Sequence, residues 1–133
     1  MKTALAAGGA TALATHRTMA APNARIRGAN DDIRIAVVGI GSNVKIGGKG
    51  KGDIRDWLKT PGVRVVAVCD VDRAILDAEV EKFRGRNEKV EAYIDVRELL
   101  DNPNIDAVSI TTPNHWHSLV TVWACQAGKD VYV

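Results

Sequence analysis

Two cysteines in 133 residues leave this chain little sulfur chemistry. Cys69 sits inside an apolar strand-like run and Cys125 inside a helix-like one. Neither belongs to a Cys-x-x-Cys pair, so both read as buried thiols rather than as a disulfide, a redox couple or a zinc site. Histidine is equally scarce. His115 and His117 diverge on a helix, with no cysteine or third histidine beside them, so no metal is expected. Acids and bases are interspersed for a net charge of +2, and no basic face points to nucleic acid or to an anionic membrane surface. No internal repeat is visible, and the one weakly apolar N-terminal run is too short to span a membrane as a helix. What remains is an ordinary globular composition, 46% apolar and 26% charged, with length for one domain rather than two.

The first thirty residues differ from the rest. From Thr3 to Ala14 the chain reads TALAAGGATALA, preceded by Lys2. Ala12-Leu13-Ala14 and Thr18-Met19-Ala20 offer small residues at the spacing an export peptidase reads. The low hydrophobicity is that of twin-arginine signals, although the arginine pair is missing; the alternative is a tail with no address. Residues 1–30 are therefore expected to be an export-signal-like tail and a polar linker, APNARIRGANDD. If the signal works the protein is exported, to a periplasm, and otherwise it is cytoplasmic. The folded unit is expected to cover 31–133.

Within it, apolar runs alternate with helical spacing. IRIAVV (33–38) is a β-branched run of the kind buried on both faces of a sheet. IGSNVKIGGKG follows, and DIRDWLK (53–59) then has helical spacing up to the stop at Thr60-Pro61-Gly62. VRVVAVC (63–69) is a second buried strand, closed by Asp70. A helix over 71–84 turns Ile75, Leu76, Val80 and Phe83 to one side. VEAYI (90–94) reads as a third, peripheral strand, Asp95 caps a short helix VRELL, and DAVSIT (106–111) is the fourth strand. A last helix runs from about His115 to Ala127, stopped by Gly128, and VYV opens a fifth strand. Strand and helix alternate with short connections. The expected fold is α/β, a doubly wound parallel sheet covered by helices on both faces, like a Rossmann dinucleotide-binding domain.

Three stretches carry chemistry. Gly39-Ile40-Gly41 begins a dinucleotide fingerprint, in which glycines allow a tight turn close to a pyrophosphate and the next helix offers its free N–H groups to the charge. The third glycine of the simple pattern falls on Val44, so the register fails there. A second register takes Gly47, Gly48, Gly50 and Gly52 as the working turn and GSNVKI as an insertion, with Lys45, Lys49 and Lys51 favouring phosphate. Asp70 is an acid at the end of the second strand, placed to bind adenosine ribose hydroxyls about 20 residues after the glycines. The gap is 20 from Gly50 and 31 from Gly39, which favours the insertion. Its charge would repel a 2′-phosphate, so NAD is favoured over NADP, with Arg73 nearby acting the other way. A simple cap on the following helix is the competing reading of Asp70. The third stretch, TTPNHWHS (111–118), follows the fourth strand where doubly wound sheets bind ligands, and Asn114 is also placed to cap the helix.

IDAVSITTPNHWHSLVTVWACQAGKDVYV is similar to the end of the nucleotide-binding domain in the Gfo/Idh/MocA oxidoreductases. IRIAVVGIG, VVAVCDVD and RELLDNPNIDAV resemble their counterparts there, so the likeness spans about Ile33 to Val133. The resemblance implies NAD(P)-dependent hydride transfer on sugars, polyols or related compounds. It places Thr112, Pro113, Asn114 and His117 in the loop beside the nicotinamide. Gly39, the glycines Gly48, Gly50 and Gly52, and Asp70 match the pyrophosphate and ribose contacts, with Gly41 in the same turn. His115 and Trp116 receive no catalytic role.

Two departures stand out: the extra residues in the glycine loop, and an end at Val133 ahead of the family's Glu-Lys-Pro motif. The lysine of that motif is the proton-transfer partner of the substrate hydroxyl. Lys129 does not occupy its position. On this reading no catalytic residue lies in the chain, which alone would bind cofactor without turnover. Substrate and any homo-oligomer contact would belong to a second domain. Two rivals remain, an S-adenosylmethionine-dependent methyltransferase and a non-catalytic nucleotide-binding module.

Overall fold

A computed structural model describes residues 31–42 and 48–133; the expected tail, Val44, Lys45 and Gly47 lie outside the described residues. The elements are β1 (Ile33–Val38), α1 (Lys49–Trp57), β2 (Val63–Cys69), α2 (Arg73–Gly85), β3 (Glu91–Tyr93), α3 (Val96–Leu100), β4 (Ala107–Ile110), α4 (Asn114–Gln126) and β5 (Asp130–Tyr132). All pairings are parallel, in the order β3-β2-β1-β4-β5. The chain builds outward from β1 through β2 to β3, then returns to lay β4 and β5 on the other side of β1. That reversal opens a crevice at the C-terminal ends of β1 and β4, where neighbouring connections leave in opposite directions.

Alternation along β1 assigns its side chains to two cores. Ile35 and Val37 pack with Ile54 of α1 and with Ile75, Leu76 and Phe83 of α2. Ala36 and Val38 pack with Leu99 and Leu100 of α3 and with Val120 and Ala124 of α4. Full burial of a Val, Leu, Ile or Phe side chain contributes roughly 1.5–3 kcal/mol, and both faces of the sheet supply such side chains. β2 breaks the alternation. Ile35 pairs with Val65 but Ala36 pairs with Ala67, so Val66 is an extra residue in the ladder. This bulge turns Val66 and Ala67 to the same core and resets the phase for Val68 and Cys69.

The N-terminal edge of the sheet is closed by a buried ion pair. Arg34, 5% exposed, donates from Nε and Nη2 to the two carboxylate oxygens of Asp106 at 3.0 and 2.8 Å. Its Nη1 reaches Asn104 Oδ1 at 3.0 Å. A forked, fully partnered contact of this kind compensates the desolvation of both charges, and it joins β1 to the entry of β4. Lys129 closes the same edge by donating to the carbonyls of Asn102 and Ile105 at 2.7 and 2.9 Å. Burial pushes its ammonium below the usual lysine value. It stands at the opposite end of the strands from the crevice.

Several boundaries follow the expected signals. Asp95 caps α3 through Arg97 N at 2.9 Å. Gly128 ends α4 at φ +71°, with its N–H on the Cys125 carbonyl at 3.0 Å. The cap of α2 is Asp72, which accepts from Ala74 N and Ile75 N, and not Asp70. Two expectations need correction. Helix α1 begins at Lys49, four residues before Asp53, so Gly50 and Gly52 are helical and not part of an open loop. Cys125 is exposed, whereas Cys69 is buried as expected. Helix α4 carries Trp116, Leu119 and Val122 on its exposed side as well, so its apolar residues do not mark a single inward face.

Gly50 explains the early start of α1. A Cβ there would fall inside the van der Waals envelope of the Gly39 carbonyl oxygen and lie 2.7 Å from Ile40 Cα. Glycine costs a helix about 1 kcal/mol relative to alanine, and here the close approach outweighs that cost. Gly50→Ala should therefore lose about 1–3 kcal/mol to overpacking. Gly52→Ala, whose Cβ would meet only the Arg55 guanidinium at 3.9 Å, should gain up to about 1 kcal/mol. Opposite shifts of the two urea midpoints are the expected result.

Desolvation, with Asp70 nearby, pushes the Cys69 thiol up to about 12. Iodoacetamide at pH 8 should label Cys125 alone in the folded protein and both thiols in urea, counted by mass spectrometry. The same shift makes stability fall as pH rises from ~8.5 toward about 12, because the folded state keeps a proton that the unfolded chain releases.

Candidate nucleotide-binding site

The crevice between β1 and β4 opens into a cavity of about 1160 Å3 across the C-terminal edge of the sheet. Its middle is the turn that leaves β1. Gly39 and Gly41 have φ of +86° and +106°, a left-handed backbone that only glycine adopts freely. A Cβ on Gly39 would lie 2.7 Å from Thr112 N and 2.9 Å from the Thr111 carbonyl carbon. The exits of β1 and β4 thus touch backbone to backbone. Ile40, between the two glycines, anchors the turn in the α1–α2 core.

Asp70 stands against this turn. Its Oδ2 accepts from Ile40 N at 2.8 Å and Gly41 N at 3.3 Å, and its Oδ1 accepts from Asp72 N at 2.9 Å. The long sequence gap between this turn and Asp70 therefore hides direct contact with Ile40 and Gly41, and the gap of 20 from Gly50 measures something else. Gly39 and Gly41 shape the turn beside Asp70, while Gly50 brings α1 down onto it. Gly39 and Gly41 supply the tight turn and Gly50 the close helix–strand approach that a glycine fingerprint requires. Gly39, Gly41 and Asp70 line the cavity; Gly48, Gly50 and Gly52 do not. Gly48 precedes α1 as its N-cap without a side-chain hydrogen bond, and no acid occupies the first turn. Lys49 and Lys51 do, and Lys51 Nζ donates to the Ser42 carbonyl at 3.2 Å. Positive side chains at a helix start favour an anion there, while the Lys51 amide itself donates to the Ile40 carbonyl at 3.0 Å.

The far wall is the loop after β4. Thr111 Oγ1 donates to the carbonyls of Gly39 and Val38. Thr112 Oγ1 is buried with no hydrogen-bond partner among the described residues, although a buried hydroxyl ordinarily has one. Pro113 is the N-cap of α4 and Asn114 its first residue; neither side chain caps. The expected Asn114 cap is therefore absent, because the Pro113 carbonyl accepts from Trp116 N at 2.9 Å and closes the turn through backbone alone. His117 turns back on the loop, with Nε2 2.6 Å from the Thr112 carbonyl. A carbonyl only accepts, so Nε2 carries the proton and Nδ1 is left as the other ring nitrogen. Thr112, Pro113, Asn114 and His117 all reach the cavity.

Sequence reasoning missed one part of the wall. Asp53, 5% exposed, accepts from Ser109 Oγ of β4 at 3.0 Å and pairs with Lys49. The hydrogen bond to Asp53 holds the Lys49 ammonium above its ordinary value, so it stays charged. Lys49 Nζ also lies 5.5 Å above the Tyr132 ring, whose edge meets Trp57 at 5.3 Å. The signal was the spacing of Lys49, Asp53 and Trp57 on one helical face, legible once the helix begins at Lys49.

A dinucleotide fits these residues: a turn that excludes side chains, a carboxylate beside it, a cationic helix start and an unpartnered hydroxyl along one open cavity. Known proteins agree. The profile of the oxidoreductase family with an NAD-binding Rossmann fold matches residues 33–133. Among curated relatives, glycosyl hydrolase family 109 protein 1 of Shewanella sp. (strain MR-4) is 28% identical over 106 residues, covering 76% of this chain and 22% of that protein. The alpha-N-acetylgalactosaminidase of Shewanella oneidensis gives the same identity and coverage. Among solved structures, the scyllo-inositol dehydrogenase of Lactobacillus casei with bound NAD(H) and scyllo-inositol superposes with a TM-score of 0.65 at 26% identity, over 76% of this chain and 27% of that one. This chain thus spans about a quarter or less of the relatives it matches. A turn, an acid and a fourth-strand loop in these places, within a profile match over the whole folded unit, make the chain a member of the Gfo/Idh/MocA oxidoreductase family, in its NAD-binding Rossmann fold.

Proposed function

We propose that residues 31–133 form the cofactor-binding part of an oxidoreductase that moves hydride between NAD and a sugar, a polyol or a related compound. The observation that carries this reading is the meeting of the Gly39–Gly41 turn, the Asp70 carboxylate and the cationic start of α1 in one crevice. NAD, when bound, supplies the hydride acceptor. The turn of Gly39 and Gly41 admits the pyrophosphate, Lys49 and Lys51 neutralise it, and Asp70 takes the adenosine ribose. Thr112, with its unpartnered hydroxyl, and His117 stand where the nicotinamide half would lie. Family membership supports this over the methyltransferase reading. No catalytic proton carrier is assigned within these residues, and the substrate follows from the relatives alone.

A second reading concerns the reaction and not the cofactor. Curated relatives include a protein named alpha-N-acetylgalactosaminidase, and NAD-dependent glycosidases are known. A net dehydrogenase accumulates NADH, whereas such a glycosidase releases sugar with none accumulating. Absorbance at 340 nm beside free-sugar release, on an enzyme of the relatives' length carrying this unit, separates the two.

Calorimetric titration of the chain should show NAD binding, no S-adenosylmethionine binding, and NADP at least about tenfold weaker, because a carboxylate at the ribose disfavours a 2′-phosphate. Binding of S-adenosylmethionine in place of NAD, or equal affinities for NAD and NADP, would count against the respective halves of the proposal. The export reading of residues 1–30 is also proposed; recovery of the protein in the periplasmic fraction with a shortened N-terminus would support it.

A further inference from the structure

Asp70 is busier than a ribose contact requires. A carboxylate has about four acceptor positions, and three are taken within the chain: Oδ2 by Ile40 N and Gly41 N, and Oδ1 by Asp72 N. The carboxylate is itself held in place. The Asp70 amide donates to the Tyr93 carbonyl at 3.1 Å, and the carbonyl of Cys69 accepts from Gly39 N at 2.8 Å. The end of β2 is therefore a fixed post, and the turn after β1 is tied to it through three successive amides, those of Gly39, Ile40 and Gly41. Capping does not account for these bonds, since Asp72 caps α2.

We propose that Asp70 is a positioning residue for the pyrophosphate-binding turn in addition to its ribose contact: it holds the Gly39–Gly41 turn, with its two left-handed glycines, in the form that admits the phosphates. This rests on the cofactor reading above and adds to it. Two consequences differ from those of a plain ribose contact. A ribose diol finds one acceptor position of Asp70 open and must share the others with the turn. Loss of Asp70 also harms any ligand that carries a pyrophosphate, even one with no ribose hydroxyls. Simple electrostatics has the opposite sign, because removing a negative charge should strengthen the binding of an anion.

The test is a cycle between protein and ligand. Wild type, Asp70→Asn and Asp70→Ala are titrated with ADP and with 2′,3′-dideoxy-ADP, which lacks both hydroxyls. Asn cannot accept at both oxygens, so it keeps one side of the staple and loses the other. The expected result is that Asp70→Ala weakens 2′,3′-dideoxy-ADP by about tenfold, the scale of losing a charge-assisted hydrogen bond, with Asp70→Asn in between. Hydrogen exchange at the Ile40 and Gly41 amides should quicken in Asp70→Asn while the core strands keep their protection, which also shows that this variant is folded. Unchanged or tighter binding of 2′,3′-dideoxy-ADP by Asp70→Ala, with its core strands still protected from exchange, overturns this positioning role and leaves the cofactor reading intact. Wild type that binds neither ADP nor NAD overturns the cofactor reading, and the staple with it.

Discussion

Backbone meets backbone at two places where a side chain would not fit, and the site depends on both. At Gly39 the end of β1 lies against the peptide joining Thr111 to Thr112, and at Gly50 the first turn of α1 lies against Gly39 and Ile40. The first contact brings the β4 loop to the crevice. The second brings the positive end of a helix to the same place. A methyl group at either position would separate elements whose chemistry works only in combination.

Buried charges are distributed with the same economy. Arg34 and Asp106 join β1 to β4 at the closed end of the sheet, while Asp53 and Ser109 join α1 to β4 near the open end. Each carboxylate has hydrogen-bond partners that offset its desolvation. The pair at the closed end is remote from the cavity and serves register. The one at the open end also sets the Lys49 ammonium beside the cavity, so one carboxylate serves both a packing contact and the placement of a charge.

Much of this was legible beforehand. Apolar runs separated by helical spacing defined the strands, which are three to seven residues long, because a parallel sheet covered on both faces demands continuous apolar runs. Asp70 and the loop from Thr112 to His117 stood out because they follow strands at the end where doubly wound sheets bind ligands, and the family resemblance matched the same positions. The start of α1 was hidden, since glycine disfavours helices and its value at position 50 comes from a neighbour distant in sequence. The Asn114 cap failed because the Pro113 carbonyl met the same need. Cys125 was misplaced because α4 is apolar on more than one side, which removes the phase that tells inside from outside. The Asp53–Ser109 contact left no signal in the sequence, because it exists only once α1 and β4 are brought together.

The bulge at Val66 decides which way the end of β2 faces. Side chains alternate along a strand, so one extra residue exchanges the faces for everything downstream. β2 therefore carries a parity, set in its middle and read out where the strand ends at Cys69 and hands on to Asp70. Chimeras with family members must respect it. A donor strand that keeps the same number of residues but pairs without the bulge would pack acceptably through Val65, then deliver the thiol to the α1–α2 core and turn the carboxylate away from the crevice. Recombination breakpoints in this fold are safer in the helices than within β2.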